Sequence, residues 1–302
     1  MRNMSWNSAE SSESRKLADG PKCSAGIRAR VYRLVGPACL LALSSCAGFN
    51  AFTPQQGMAM GLTAYEEILH DEQLIQSGQQ HAMVLEVTNR LVAAARAESP
   101  DLVDLFEWHV ELIDNAETLN AFCLPGGKMA VYTGILQVTE SPTGLAVVMG
   151  HEIAHATQRH GTRAVTRANM IGFGLTIAEG LLSEQGTPAY AAAIAQGGAA
   201  LVQLSYGRDA ELEADEVGLR IMARAGYDPR EAVAFWGRMA ALSGAGGQIE
   251  FLSTHPSNAN RIQQIESLLP SVLPLYEASG GTAPPPVPAE QAKKKAPGDS
   301  WR

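Results

Sequence analysis

Residues 151–155 read His151-Glu152-Ile153-Ala154-His155. On a helix, residues four apart lie one above the other on the same face. His151 and His155 can therefore grip one metal ion from one side. Glu152 projects from the flank of that face, where it can hold a water on the ion and take its proton, the arrangement that hydrolyses peptides. The plain alternative is an exposed helix with two unrelated histidines. Working outward, Ser141 supplies an N-cap and Pro142 a first helical residue. The pattern then runs through Leu145, Val148 and the HEIAH segment to His160, with Gly161 as the stop.

Two histidines do not complete a catalytic zinc site, which usually has three protein ligands and an open position. One class of HExxH protein takes a third His six residues after the second, with a Gly between. Those positions hold Gly161 and Gln158, so that class is excluded. His160 falls on the far side of a continuous helix from His151 at about 100° per residue, and reads as structural. A later helix offers carboxylates instead. Glu211 and Asp215 are four apart and share a face, so one can bind the metal while the other orients a ligand. Without HEIAH they would read as a solvated acidic face. Glu213 points roughly 200° away from Glu211 and is expected to be exposed.

The chain has 302 residues, 46% hydrophobic and 18% charged, enough for one sizeable domain or two small ones. Its net charge of −8, with no basic stripe, excludes nucleic acid as a partner. It contains no run of 18 or more apolar residues of the kind that spans a bilayer. Arg28, Arg30 and Arg33 precede the apolar run Leu34 to Leu43, followed by Ser44, Ser45 and Cys46. A basic segment, a short apolar segment and small residues describe an export signal. The LSSC ending resembles a bacterial lipobox, which makes Cys46 the lipidated residue. The expected organisation is a signal over 1–46, whose first residues could also be an over-called start. A tether over 47–60, a catalytic domain over 61–275 and a disordered Pro- and Lys-rich tail over 276–302 follow. Cys123 is then left without a disulfide partner and reads as a buried thiol.

Helical periodicity begins near Gly61 and is clear from His81 to Ala97. Phe106 to Asp114 alternates like a half-buried strand, with His109 on its solvated face. Asn120 to Tyr132 contains a Pro125-Gly126-Gly127 turn and a second short strand. Pro125 places this piece at a sheet edge or before a strand. Asn120 and Phe122 are the candidate positions for pairing with an extended substrate peptide. Residues 162–205, rich in Ala, Gly and Leu, predict helices over about 168–183 and 189–204. Further helices are expected over about 209–225, 230–242 and 259–268.

Four landmarks, in order, resemble one family. They are NAFCLPGGKMAVYTGIL (120–136), HEIAHATQRHG (151–161), RDAELEADEVGL with AGYDP (208–229) and STHPSNANRI (253–262). The chain resembles the membrane-associated zinc metalloendopeptidases of the HtpX and CAAX-prenyl-protease type, and among them the soluble bacterial lipoprotein branch. The resemblance covers about residues 60–270; Gly207 departs from the Ser often found there. It implies an α+β zincin domain, gluzincin-like, mostly helical with a small sheet. It implies one Zn²⁺ per chain on His151, His155 and Glu211, with Glu152 as general base and Asp215 as an acid behind the ligands. His255 becomes a candidate for steadying the oxyanion or substrate, beside a plain role at a helix start. Arg261 is expected to pair with an acid. The implied substrates are misfolded envelope proteins, met on the periplasmic side by an enzyme lipid-anchored to the membrane, the outer one in this reading. The competing reading is a lipid-anchored chaperone or scaffold with a structural or latent zinc site. A structural site needs four protein ligands, and no fourth Cys or His stands at suitable sequence spacing. In a latent form, residues 162–205 or His160 would cover the metal.

Overall fold

The computed structural model describes residues 49–182, 205–244, 249–255 and 260–281, with backbone alone for 172–182. The expected signal with Cys46, the second Ala- and Gly-rich helix and residues 282–302 of the tail lie outside these. The first helix, α1 (Pro54–Leu69), starts on Thr53, whose hydroxyl accepts from Gln56 while the Gln56 side chain returns a bond to the Thr53 backbone. This capping box satisfies two amides that the first turn leaves unpaired. The helix thus takes in residues 54–60, expected as tether, because Gly57, Gly61, Ala64 and Tyr65 bury a face. A Cβ at Gly61 would sit 2.0 Å from the Pro125 carbonyl oxygen, so the helix rests directly on that turn.

Next, α2 (Gln79–Ala95) buries Val84, Val87, Thr88, Leu91 and Ala95, the stripe of a helix with one face in the core. After α3 (Pro100–Leu105) come β1 (His109–Ile113), β2 (Ala121–Leu124) and β3 (Lys128–Tyr132). They form one sheet in the order β1-β3-β2, with β1 parallel and β2 antiparallel to β3. Gly126 and Gly127 turn the β2–β3 hairpin at positive φ, a region open to glycine. The alternation read for residues 106–112 holds: Phe106, Val110 and Leu112 are buried and His109 is exposed. The strand itself is shorter than expected, because α3 runs to Leu105 and its carbonyls take up the start of the stretch.

Behind the sheet, α4 (Thr133–Thr139) leads into α5 (Pro142–Thr157), the HEIAH helix. Its cap is as expected: the Ser141 hydroxyl accepts from the Gly144 amide at 3.0 Å. Every residue from Gly144 to Thr157 is buried. The stop differs from the expectation. The helix closes at Gln158, Arg159 takes a left-handed φ of 59°, and a new helix α6 (His160–Leu182) begins before Gly161.

Helix α7 (Arg208–Arg224) lies across α5, and two glycines set the approach. A Cβ on Gly218 would come 2.9 Å from the His151 backbone nitrogen, and one on Gly150 would come 3.1 Å from the Gly218 carbonyl oxygen. Helices α8 (Glu231–Gly244), α9 (Glu250–Thr254) and α10 (Arg261–Ala278) close the core around Phe235, Trp236 and Phe251. Each of these fully buried large side chains contributes about 1.5–3 kcal/mol by leaving water. Helix α10 runs ten residues past its expected end through Pro270 and Pro274. Both prolines are exposed, so the carbonyls they leave without an amide partner can bond water, while Val272 and Tyr276 keep the inner face buried. The result is a mostly helical domain with a small three-stranded sheet. No described helix is long and apolar enough to cross a membrane.

Candidate metal centre

His151 and His155 stand one turn apart on α5 and meet edge to face, with ring centroids 4.5 Å apart. Their Nε2 atoms face each other at 2.9 Å. Glu211 reaches them from the first turn of α7: Oε2 is 3.5 Å from His151 Nε2, and Oε1 is 3.4 Å from His155 Nε2. The close crossing at Gly150 and Gly218 brings this first turn within reach.

His255 at the end of α9 joins them. Its Nδ1 stands 3.2 Å from His151 Nε2 and 3.1 Å from Glu211 Oε1. One donor atom from each of these four buried residues lies within 4.8 Å of the other three. Sequence spacing offered no fourth donor, and the fold brings His255 beside the other three. His255 is 100 residues from His155 in the chain, and only the return of α9 past α5 brings it in.

The donor set fits zinc. Bonds of about 2.0–2.1 Å in a tetrahedron place neighbouring donors about 3.4 Å apart, and the separations above straddle that value. Two imidazole nitrogens facing each other at 2.9 Å need a proton or a cation between their lone pairs.

Glu152 is buried on the flank of the site, with Oε1 3.2 Å from His255 Nε2 but without hydrogen-bond alignment. Burial raises its carboxyl above the usual range, and His255 and His151 only partly offset this. The backbone amide of Cys123 donates to it. Cys123 is itself a buried thiol, pushed up by burial.

Asp215 stands behind His151, with Oδ1 2.9 Å from His151 Nδ1. Arg261 pairs with acids, also as expected. It donates to Glu211 Oε2 at 2.9 Å and to Asp215 Oδ1 at 2.6 Å, and its guanidinium lies 3.6 Å above the Trp236 ring. Burial works against both carboxylates, yet both are held below their usual values: Glu211 by the three histidines, Asp215 by Arg261 and His151. Burial likewise opposes charge on His151, but Asp215 and Glu211 lift it to about 9.

Asn120 and Phe122, the expected substrate-pairing positions, turn their main chain toward β3. Strand β2 is an edge of the sheet. The Asn120 carbonyl accepts from the Tyr132 amide on β3 at 3.1 Å. Antiparallel alternation then turns Phe122 toward β3 as well, and turns the main chain of Ala121 and Cys123 to the outer edge, where the Cys123 amide already serves Glu152. The Phe122 side chain packs with Tyr65 and Tyr132 on the other face of the sheet, and the Asn120 side chain accepts from Ala121.

Two further residues differ from their sequence reading. His160 does not face away: the break at Arg159 swings it onto His155, ring centroids 4.7 Å apart. Glu213 is only half-exposed and bonds His160 and Arg163. Tyr206, which sequence reasoning passed over, stacks on His155 with centroids 4.0 Å apart. An aromatic just before the RDAELEAD run was the available signal.

A model of peptidase family M48 matches residues 78–269. The mitochondrial metalloendopeptidase OMA1 of Saccharomyces cerevisiae is 31% identical over 235 residues, 74% of this chain and 66% of that protein. The human metalloendopeptidase OMA1 is 29% identical over 226 residues, 71% of this chain and 42% of that protein. The beta-barrel assembly-enhancing protease of Yersinia pestis is 28% identical over 236 residues, 74% of this chain and 46% of that protein. The matches span about two thirds of the yeast relative and less than half of the other two.

Proposed function

Since this chain belongs to peptidase family M48, we propose that it is a zinc-dependent metalloendopeptidase acting in envelope protein quality control. The observation that carries the reading is the buried convergence of His151, His155 and Glu211, with Glu152 on its flank. When bound there, zinc supplies Lewis-acid polarisation of the scissile carbonyl and a more acidic water. The chain's own residues do the rest. Glu152 takes the proton from the attacking water and delivers it to the leaving amine. Asp215 fixes the ring of His151, and Arg261 holds both Asp215 and Glu211 in register. The outer edge of β2 at Ala121 and Cys123 offers main-chain carbonyls to an extended peptide.

The finer placement is the HtpX and CAAX-prenyl-protease type, in its lipoprotein branch, with a gluzincin-like domain over about 61–275. It is supported by the four sequence landmarks and by a third ligand that is a carboxylate. The LSSC segment supports lipidation at Cys46 and a periplasmic, membrane-anchored site at the outer membrane. The names of the relatives, an assembly-enhancing protease among them, support misfolded or misassembled envelope proteins as substrates.

The test is zinc content and casein cleavage for the chain and for Glu152→Gln. The expected result is about one zinc per chain in both, with cleavage lowered about 10²–10⁴-fold in the variant. Equal cleavage would remove Glu152 as base, and absence of zinc from both would remove the metal reading.

One observation favours a second reading. His255 stands as a fourth donor and all four donors are buried, as in a closed site. Among the described residues, the Tyr206 ring stacks on His155 and the His160 ring lies beside it. His255→Ala separates the two. It raises cleavage if the site is a closed protease, and only weakens zinc retention if the site is structural.

A further inference from the structure

The two histidines of the metal helix are steadied from behind in different ways. His151 Nδ1 meets Asp215 directly at 2.9 Å. Among the described residues, His155 Nδ1 meets no carboxylate. It lies 2.8 Å from Nδ1 of His160, whose Nε2 lies 3.0 Å from Glu213 Oε2. His160 is 2% exposed, so this chain of bonds runs from the interior out to a half-exposed carboxylate.

A His that gives its Nε2 lone pair to a metal carries its proton on Nδ1. His155 then donates to His160 Nδ1, which must offer a lone pair, so the His160 proton sits on Nε2 and is donated to Glu213. Every donor in this chain finds an acceptor only in that direction.

The backbone is arranged around this contact. Arg159 adopts φ 59°, a conformation that disfavours a residue with a Cβ, and this turn is what faces His160 toward His155. Arg159 donates to the Phe52 carbonyl and Arg163 to the Gln158 carbonyl, pinning both sides of the turn. Arg163 also lies 3.2 Å from Glu213 Oε2, holding that carboxylate toward His160.

We propose that His160 and Glu213 are positioning residues for the metal: they fix the tautomer and ring orientation of His155 through a Glu213–His160–His155 chain. This rests on the reading of His155 as a metal ligand. Partners behind a ligating histidine typically change metal affinity about 10–100-fold.

The test measures zinc affinity of the full chain by competition with a chromophoric chelator, for the parent, His160→Ala, His160→Asn and Glu213→Gln. His160→Ala is expected to weaken zinc about 10–100-fold. His160→Asn is expected to recover most of that, because its amide can accept from His155 and donate to Glu213. Glu213→Gln, which keeps an acceptor and loses only charge, is expected to lie between the parent and His160→Ala. In parallel, long-range ¹H–¹⁵N correlation spectra of the zinc-loaded parent read the ring protons, on Nδ1 of His155 and on Nε2 of His160. That readout needs no variant, so it decides the matter even if His160→Ala does not fold. A buried His160 serving packing alone leaves zinc affinity at the parent value, and that result, or a His160 protonated on Nδ1, overturns the inference. A parent that holds no zinc removes the metal reading together with this one. A parent that holds zinc beside an equally tight His160→Ala removes this one alone.

Discussion

Replacing Arg261 by Met tests the electrostatics of the site most directly. Arg261 is 2% exposed and holds two buried carboxylates at once, Glu211 at 2.9 Å and Asp215 at 2.6 Å. Met keeps an unbranched apolar stem to pack against Trp236, so the change removes charge with little loss of volume. Two carboxylates are then left in the interior with less compensation. Breaking a buried pair by removing one partner typically destabilises by about 3–5 kcal/mol. For a domain of this size that is about 6–20 °C in thermal midpoint. A bound divalent cation neutralises the same carboxylates, so Arg261 and the metal are partly interchangeable. The expected outcome, by calorimetry with chelator and with zinc, is a large loss in the metal-free protein and a smaller one in the zinc-loaded protein. The zinc-dependent rise in midpoint is therefore larger in the variant than in the parent. Arg230→Met serves as control, because its pair with Asp228 is 42% exposed on the Arg side and contributes at most about 1 kcal/mol. A metal-free loss at Arg261 no greater than at Arg230, or an equal loss with and without zinc, refutes the reasoning.

Other changes probe the frame. Gly218→Ala places a methyl 2.9 Å from the His151 backbone. It should push α7 off α5 and lower zinc affinity about 10-fold or more, read by chelator competition. Phe235→Ala, at a fully buried core position away from the ligands, should lose about 3–5 kcal/mol in chemical denaturation, with zinc stoichiometry unchanged. Tyr132 is raised to about 12 from 10, by burial first and then by Glu72 and Glu250. The fold thus favours its neutral form, and that stability is fully present below pH 10 and is lost as pH rises toward 12. Thermal midpoints measured over that window should fall less steeply in Tyr132→Phe; an unchanged slope contradicts the assignment.

Much of the site could be read along the chain because its parts are local in sequence. HEIAH is a helical repeat, so the shared face of His151 and His155 follows from helix geometry alone. The same holds for Glu211 and Asp215, and for the Ser141-Pro142 start of α5. Capping, alternation and turn chemistry act over a few residues, which is why the HEIAH helix, the Pro-Gly-Gly turn and the strands around it were expected close to where they lie.

The failures share one physical cause. A straight helix extended past Thr157 puts His160 on the far side, but the left-handed Arg159 breaks that helix and turns His160 inward. The Arg159 side chain there donates to the Phe52 carbonyl, more than a hundred residues away in sequence. The tether reading of residues 54–60 failed likewise, since Gly57 and Gly61 are understandable only once Pro125 lies against them. His255 could be suspected as a site residue but not recognised as a fourth donor, and the backbone on the open edge of β2 could not be assigned before its pairing with β3 was known. The sequence by itself determined which groups could bind a metal, because periodicity sets which side chains share a face. Tertiary structure decided how many donors converge, what stands behind each and how far the centre is covered, because those depend on where separate elements return through space.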